Sequence, residues 1–108
     1  MTKTTKFIVI LNTCPGSITA KQIAQDLVVN NIAACVNVIP SIQSYFKWGN
    51  KIQIKDEYLL VIKTTTEKYE AVRDKIIKLH PYDVPEIVRL PIDAGLESYL
   101  NWVEQSTR

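Results

Sequence analysis

Apolar and polar positions change rhythm several times along the chain, and each change marks an element. Lys6-Phe7-Ile8-Val9-Ile10-Leu11 is an unbroken β-branched and aromatic run, as expected of a strand covered on both faces or paired at a sheet centre. Thr13-Cys14-Pro15-Gly16-Ser17 breaks the run with turn chemistry, which places Cys14 in an exposed loop. From Ile18 the period lengthens. Ala20, Ile23, Ala24, Leu27 and Val28 recur at three- and four-residue spacing, one stripe of an amphipathic helix. Asn30-Asn31 closes it, because asparagine accepts the left-handed backbone that ends helices.

The pattern then returns to strand. Ala34 to Ile39 and, beyond Pro40, Ile42 to Trp48 form one long segment. Proline cannot donate to a ladder, so Pro40 marks a bulge or a departure from the neighbouring strand. Gly49-Asn50 reads as a two-residue hairpin turn, glycine first as type II′ prefers. The return arm runs from Lys51 to Thr65, with Tyr58 to Ile62 as its buried part. Thr66 is the expected N-cap of a second helix, with Glu67 and Glu70 in the first turn where the dipole favours negative charge. Tyr69, Val72, Ile76 and Leu79 supply its apolar stripe. Pro81 disfavours helical geometry at His80 and stops the helix there. His80 to Pro85 reads as extended and Glu86 to Pro91 as a short strand. After Gly95 a last amphipathic segment carries Leu96, Tyr99, Leu100 and Val103 on one side.

The order β-α-β-β-α-β plus a C-terminal helix predicts an α+β domain of the ferredoxin-like, split βαβ kind, a four-stranded sheet with helices on one face. Its β2–β3 hairpin is extended. Arms of ~13 residues, hence ~40 Å at ~3.3 Å per residue, exceed the usual strand of ~5–6 residues. A ribbon that long, carrying Tyr45, Phe46 and Trp48, is a poorly protected edge in water, so sister copies are expected to cover it in a symmetric oligomer.

Composition sets limits on this picture. The 108 residues suffice for a single domain, read as 1–108, and are too few for two ordinary ones. With 46% hydrophobic and 22% charged residues, the chain is too apolar to stay disordered. Thirteen Lys and Arg against eleven Asp and Glu leave +2, a balance that predicts neither nucleic acid nor a membrane surface as partner. No stretch approaches the ~20 apolar residues of a membrane span. The start, Met1 to Lys6, is polar and basic, and the run after it is too short for a signal-peptide core. Cys14 and Cys35 make no disulfide framework, so a reduced, cytoplasmic protein is expected.

Candidate chemistry is sparse. With Gly16, Gly49 and Gly95 as the only glycines, neither a phosphate loop nor a nucleophile elbow can be built, and no paired-cysteine zinc motif is present. No enzymatic activity and no organic cofactor are expected. His80 is the one side chain whose ordinary titration lies near neutrality. It reads either as a cap on the second helix or as a member of a cluster with Tyr82 and Glu86, on a segment stiffened by Pro81 and Pro85. Cys35 lies in a strand and is either a buried inert thiol or, where reachable, a soft-metal ligand suited to copper. Lys63 is either a solvated strand end or a cation fixed in a cleft for a carboxylate or phosphate. Trp102 either packs the terminal helix onto the body or stacks on a ligand.

Several motifs occur together in order: Ala33-Ala34-Cys35-Val36-Asn37-Val38-Ile39-Pro40, the Tyr45…Trp48-Gly49…Lys51 hairpin, Ile62-Lys63-Thr64-Thr65, His80-Pro81-Tyr82-Asp83-Val84-Pro85-Glu86-Ile87, and Tyr99-Leu100-Asn101-Trp102. From about Phe7 to Trp102 the chain resembles the CutA divalent-cation tolerance family. The resemblance implies a compact homotrimer, similar in shape to the PII-type signalling proteins, in which the long hairpins pair between subunits. It implies tolerance of divalent metals, copper in particular, in bacterial members and an association with acetylcholinesterase anchoring in animal ones. It further implies metal binding in intersubunit clefts through His80 and Cys35, with Glu86 beside them, by copper or another divalent cation. Some copper-binding members carry a cysteine where this chain has Asn12 and a histidine where it has Leu79. The alternative reading is a PII-like sensor or interaction module that takes a small anion in a cleft near Lys63, Tyr82 and Trp102.

Overall fold

The computed structural model describes residues 5–108. Met1–Thr4, part of the polar start read from the sequence, lie outside the described residues. The elements run β1 (Phe7–Cys14), α1 (Ser17–Val29), β2 (Cys35–Trp48), β3 (Lys51–Thr65), a single 3-10 turn (Thr66–Lys68), α2 (Tyr69–Leu79), β4 (Val88–Pro91) and α3 (Glu97–Ser106). The four strands form one antiparallel sheet in the order β2-β3-β1-β4. This is the ferredoxin-like α+β arrangement that the element order predicts.

Strand alternation builds the core. Ile8 and Ile10 of β1 and Leu60 and Ile62 of β3 point to one face, where they meet Ala20, Ile23 and Leu27 of α1 and Val72 and Ile76 of α2. These side chains are essentially inaccessible to water, and each fully buried Ile, Leu or Val contributes about 1.5–3 kcal/mol relative to leaving it exposed. The helical stripes are those expected except at Val28, which is exposed. Their ends also follow from local chemistry, since Asn31 takes φ 58° after α1 and His80 turns extended before Pro81. A 3-10 turn precedes α2, so Thr66 is not its N-cap: Thr65 caps the turn and Lys68 stands at the N-cap of α2, neither with a side-chain capping bond.

The hairpin is long and bulged. Its arms have 14 and 15 residues. The pairing jumps between Ile39↔Leu59 and Ile42↔Glu57, so Pro40 and Ser41 together oppose Tyr58. That is a β-bulge, and Ser41 adopts φ 62° to make it. The missing N–H of Pro40 thus falls where the ladder is already interrupted. At the tip, Gly49 has φ 64°, the left-handed backbone that the first residue of a II′ turn requires.

Two expectations need correction. β1 does not end at Leu11; it continues through Cys14, paired to Tyr58. Cys14 is therefore buried, not in an exposed turn, because Asn12 and Cys14 continue the inward period of Ile8 and Ile10. The last strand is also shorter than Glu86–Pro91, since only Val88–Pro91 pairs with β1. In α3, Val103 is the buried side chain, while Leu96 and Trp102 remain exposed.

Candidate functional site

β4 covers β1 only from Ile8↔Pro91 to Leu11↔Val88. Beyond Leu11 the outer edge of β1 has no strand beside it, and buried backbone groups there need other partners. The segment that joins α2 to β4 supplies them. His80 Nε2 lies 2.7 Å from the Thr13 carbonyl oxygen. The Tyr82 backbone N–H donates to His80 Nδ1 at 3.2 Å. The Asn12 amide donates to the Glu86 carbonyl at 2.8 Å, and the Cys14 thiol donates to Asn12 Oδ1 at 3.2 Å. Tyr82 then reaches across to donate its hydroxyl to Glu57 Oε2 at 3.1 Å, its ring set edge-on to the imidazole at 4.8 Å.

Partner chemistry fixes the state of the imidazole. A carbonyl can only accept, so Nε2 carries the proton; a backbone N–H can only donate, so Nδ1 carries the lone pair. His80 is 7% exposed and Glu57 6%, so the network is buried at both ends. Burial, then the Glu57 charge, pushes the Cys14 thiol up to about 11. Burial, then Glu57, likewise raises the Tyr82 hydroxyl above its usual range. Both groups stay protonated at neutral pH and act as donors.

A second cluster occupies the sheet face turned away from α1 and α2. The register sets Cys35 opposite Lys63, and Lys63 opposite Val9. Alternation sends Val36 and Ile62 to the core and Cys35, Asn37 and Lys63 the other way. Lys63 Nζ lies 4.0 Å from Cys35 Sγ and is hydrogen-bonded to the Asn37 side-chain oxygen. α3 closes on this cluster from Tyr99, whose hydroxyl is raised by burial and then by the Cys35 thiolate. Trp102 joins through Tyr99, their ring centroids 5.7 Å apart.

The structure does not bring the expected ligands together. Cys35 is level with Val9, four residues along β1 from Thr13, hence ~13 Å away at ~3.3 Å per residue, and two strands across from the edge where His80 sits. Glu86 is exposed and uses only its carbonyl in the network. Among the described residues no three His, Cys, Asp or Glu side chains are grouped to hold a metal. One chain alone therefore does not fit a copper centre. Nor do the residues of the small-anion cleft meet within it. Tyr82 is held at Glu57, six residues along β3 from Lys63, or ~20 Å, while Trp102 sits on the Lys63 side. A cavity of about 540 Å³ is lined by residues that include Lys6, Thr65, Lys68 and Glu104, and another of about 560 Å³ by Pro15, Ser41, Gln43, Asp56, Glu57 and Tyr58. Neither is lined by His80, Cys35 or Lys63.

Sequence reasoning passed over Asn12, Cys14 and Glu57 as members of a network. The signal for the first two is their place in the period-two core face of β1. Nothing local marks Glu57.

Comparison with known proteins covers nearly the whole chain. Residues 8–106 match the model of the family described as CutA1 divalent ion tolerance protein. The chain is 41% identical over 99 residues to the divalent-cation tolerance protein CutA of Thermus thermophilus, covering 92% of this chain and 96% of that protein. It is 41% identical over 106 residues to the chloroplastic protein CutA of Arabidopsis thaliana, covering 98% of this chain but 58% of that one. The chain thus spans somewhat more than half of the plant relative's length. The crystal structure of the stable protein CutA1 from the psychrotrophic Shewanella sp. SIB1 superposes with a TM-score of 0.95 at 34% identity, over 97% of this chain and 98% of that one.

Proposed function

Because the chain belongs to the CutA1 divalent ion tolerance family, we propose that it acts in divalent-cation tolerance as a homotrimer whose subunits meet through the β2–β3 ribbon. The observation that carries this is the apolar surface of the ribbon. Trp48 is 77% exposed on one face of the ribbon, while Tyr45, Ile52 and Ile54 share the other face and are 65%, 67% and 55% exposed. A contiguous patch of this kind marks an interface, and here the matching patch is on a sister copy.

Copper is the ion the residues favour. The half-exposed Cys35 thiol offers a soft donor in each copy, and soft donors select copper(I). The exposed Glu86 carboxylate adds a harder oxygen donor for other divalent ions. Calorimetric titration of the assembled protein with copper(I) tests this. Cys35→Ser is expected to weaken binding at least tenfold, about 1.4 kcal/mol; superimposable isotherms reject the thiol as the contact.

The Lys63–Asn37 pair beside Tyr99 and Trp102 supports a second reading, a PII-like module that takes a small anion on the same sheet face. A cleft using Tyr82 as well would draw it from another copy. An anion at 100 times its Kd should add about 2.7 kcal/mol of stability, readable as a thermal shift lost in Lys63→Ala. The balanced charge supports a reading without nucleic acid partners; among the described residues no helix is long and apolar enough to cross a membrane.

A further inference from the structure

We infer that His80, the chain's single imidazole, is not a metal ligand but a neutral strut that holds the segment between α2 and β4 against the open end of β1. Both ring nitrogens are engaged, Nε2 at the Thr13 carbonyl and Nδ1 at the Tyr82 N–H. An ion arriving at Nδ1, the only lone pair, would strand a backbone donor. An ion arriving at Nε2 would have to displace a proton and leave the Thr13 carbonyl without its donor. Buried groups left in that state cost the full penalty of desolvation.

The surroundings reinforce the assignment. The imidazole is buried, its ring is packed edge-on by Tyr82, and the nearest donors in the network are already committed: the Cys14 thiol to Asn12, the Asn12 amide to Glu86 and the Tyr82 hydroxyl to Glu57. His80 does for Thr13 what a longer β4 would do, since β4 stops at Leu11↔Val88. His80 is thus a positioning residue. It sets the path of His80–Ile87, and through Tyr82 it sets the donor that meets Glu57. The metal response of the family then has to run in this chain without imidazole, on thiol and oxygen donors.

The test is a long-range proton–nitrogen correlation on the assembled, 15N-labelled protein at pH 7.5, recorded first without metal and then through titrations with zinc(II) and copper(I). The expected result is one tautomer before metal, Nε2 protonated and Nδ1 not, and no movement of either nitrogen as metal is added. Exchange between tautomers before metal, or displacement of Nδ1 or Nε2 on metal addition, overturns the strut. The tautomer is read before any ion is present, so a chain that binds no metal still decides the point, while the thiol contact proposed above fails separately. Two variants give an independent reading. His80→Gln can donate to Thr13 and accept from Tyr82, so it should melt above His80→Ala, with copper(I) affinity of both within about twofold of wild type. A loss of affinity of about tenfold in both, with the melting temperature unchanged, contradicts the inference.

Discussion

The Cys14 thiol is fully buried and donates to the Asn12 side chain, and burial followed by the Glu57 charge raises it from an ordinary 9.0 to about 11. The unfolded chain releases this proton near pH 9 while the folded chain keeps it, so stability falls as pH rises between about 9 and 11. The loss through this one group amounts to about 2–3 kcal/mol. Urea unfolding of wild type and Cys14→Ala across pH 8 to 11 should show a steeper decline in the wild type. Parallel declines would mean that the thiol is not held in its neutral form. Glu57 poses the complementary case, a carboxylate almost out of water whose hydrogen-bond donor is the Tyr82 hydroxyl. Tyr82→Phe keeps the ring and removes that donor, with an expected cost of about 1–3 kcal/mol in unfolding free energy. A change under about 0.5 kcal/mol would show that solvent already serves Glu57.

Among the elements, the β2–β3 hairpin depends most on single backbone positions. Gly49 stands at φ 64° with open space around it, so Gly49→Ala meets no clash and tests conformation alone. A loss of about 1–2 kcal/mol is expected, the cost of placing a Cβ in left-handed backbone; no loss would mean that the turn relaxes to another type. This hairpin and the two core helices were legible beforehand because their information is local. Period-two and three-to-four-residue spacings, a Gly-Asn turn and Pro81 each act within a few residues. The end of β1 was not legible, because Asn12 is a turn-favouring residue and Cys14 directly precedes Pro15-Gly16-Ser17, yet both side chains face the core. Glu86 misread as strand has the same origin: its carbonyl is taken by an Asn12 side chain, not by a ladder. The network itself joins positions 12, 57 and 80, which meet only once the sheet order is set. Motif order suggested His80 and Cys35 as partners, but spacing along the strands keeps them apart within one chain.

At the scale of the whole molecule, the particle measures 45 × 35 × 22 Å, long for its mass because the ribbon extends beyond the part of the sheet that α1 and α2 cover. Beyond the bulge both arms are largely exposed, Tyr45, Trp48, Ile52 and Ile54 among them. Sister copies would bury them, and would also bring Cys35, Lys63 and Tyr82 of different subunits into new relations. Replacing Trp48 and Ile54 together by lysine should therefore split the assembly while the Ile10–Leu60–Ile62 core keeps each chain folded; an unchanged particle size would place the interface elsewhere. The most direct measurement is the mass of the native particle by sedimentation equilibrium at micromolar protein. Three chains of 12.3 kDa predict about 37 kDa, and a species of 12.3 kDa would contradict assembly through the ribbon.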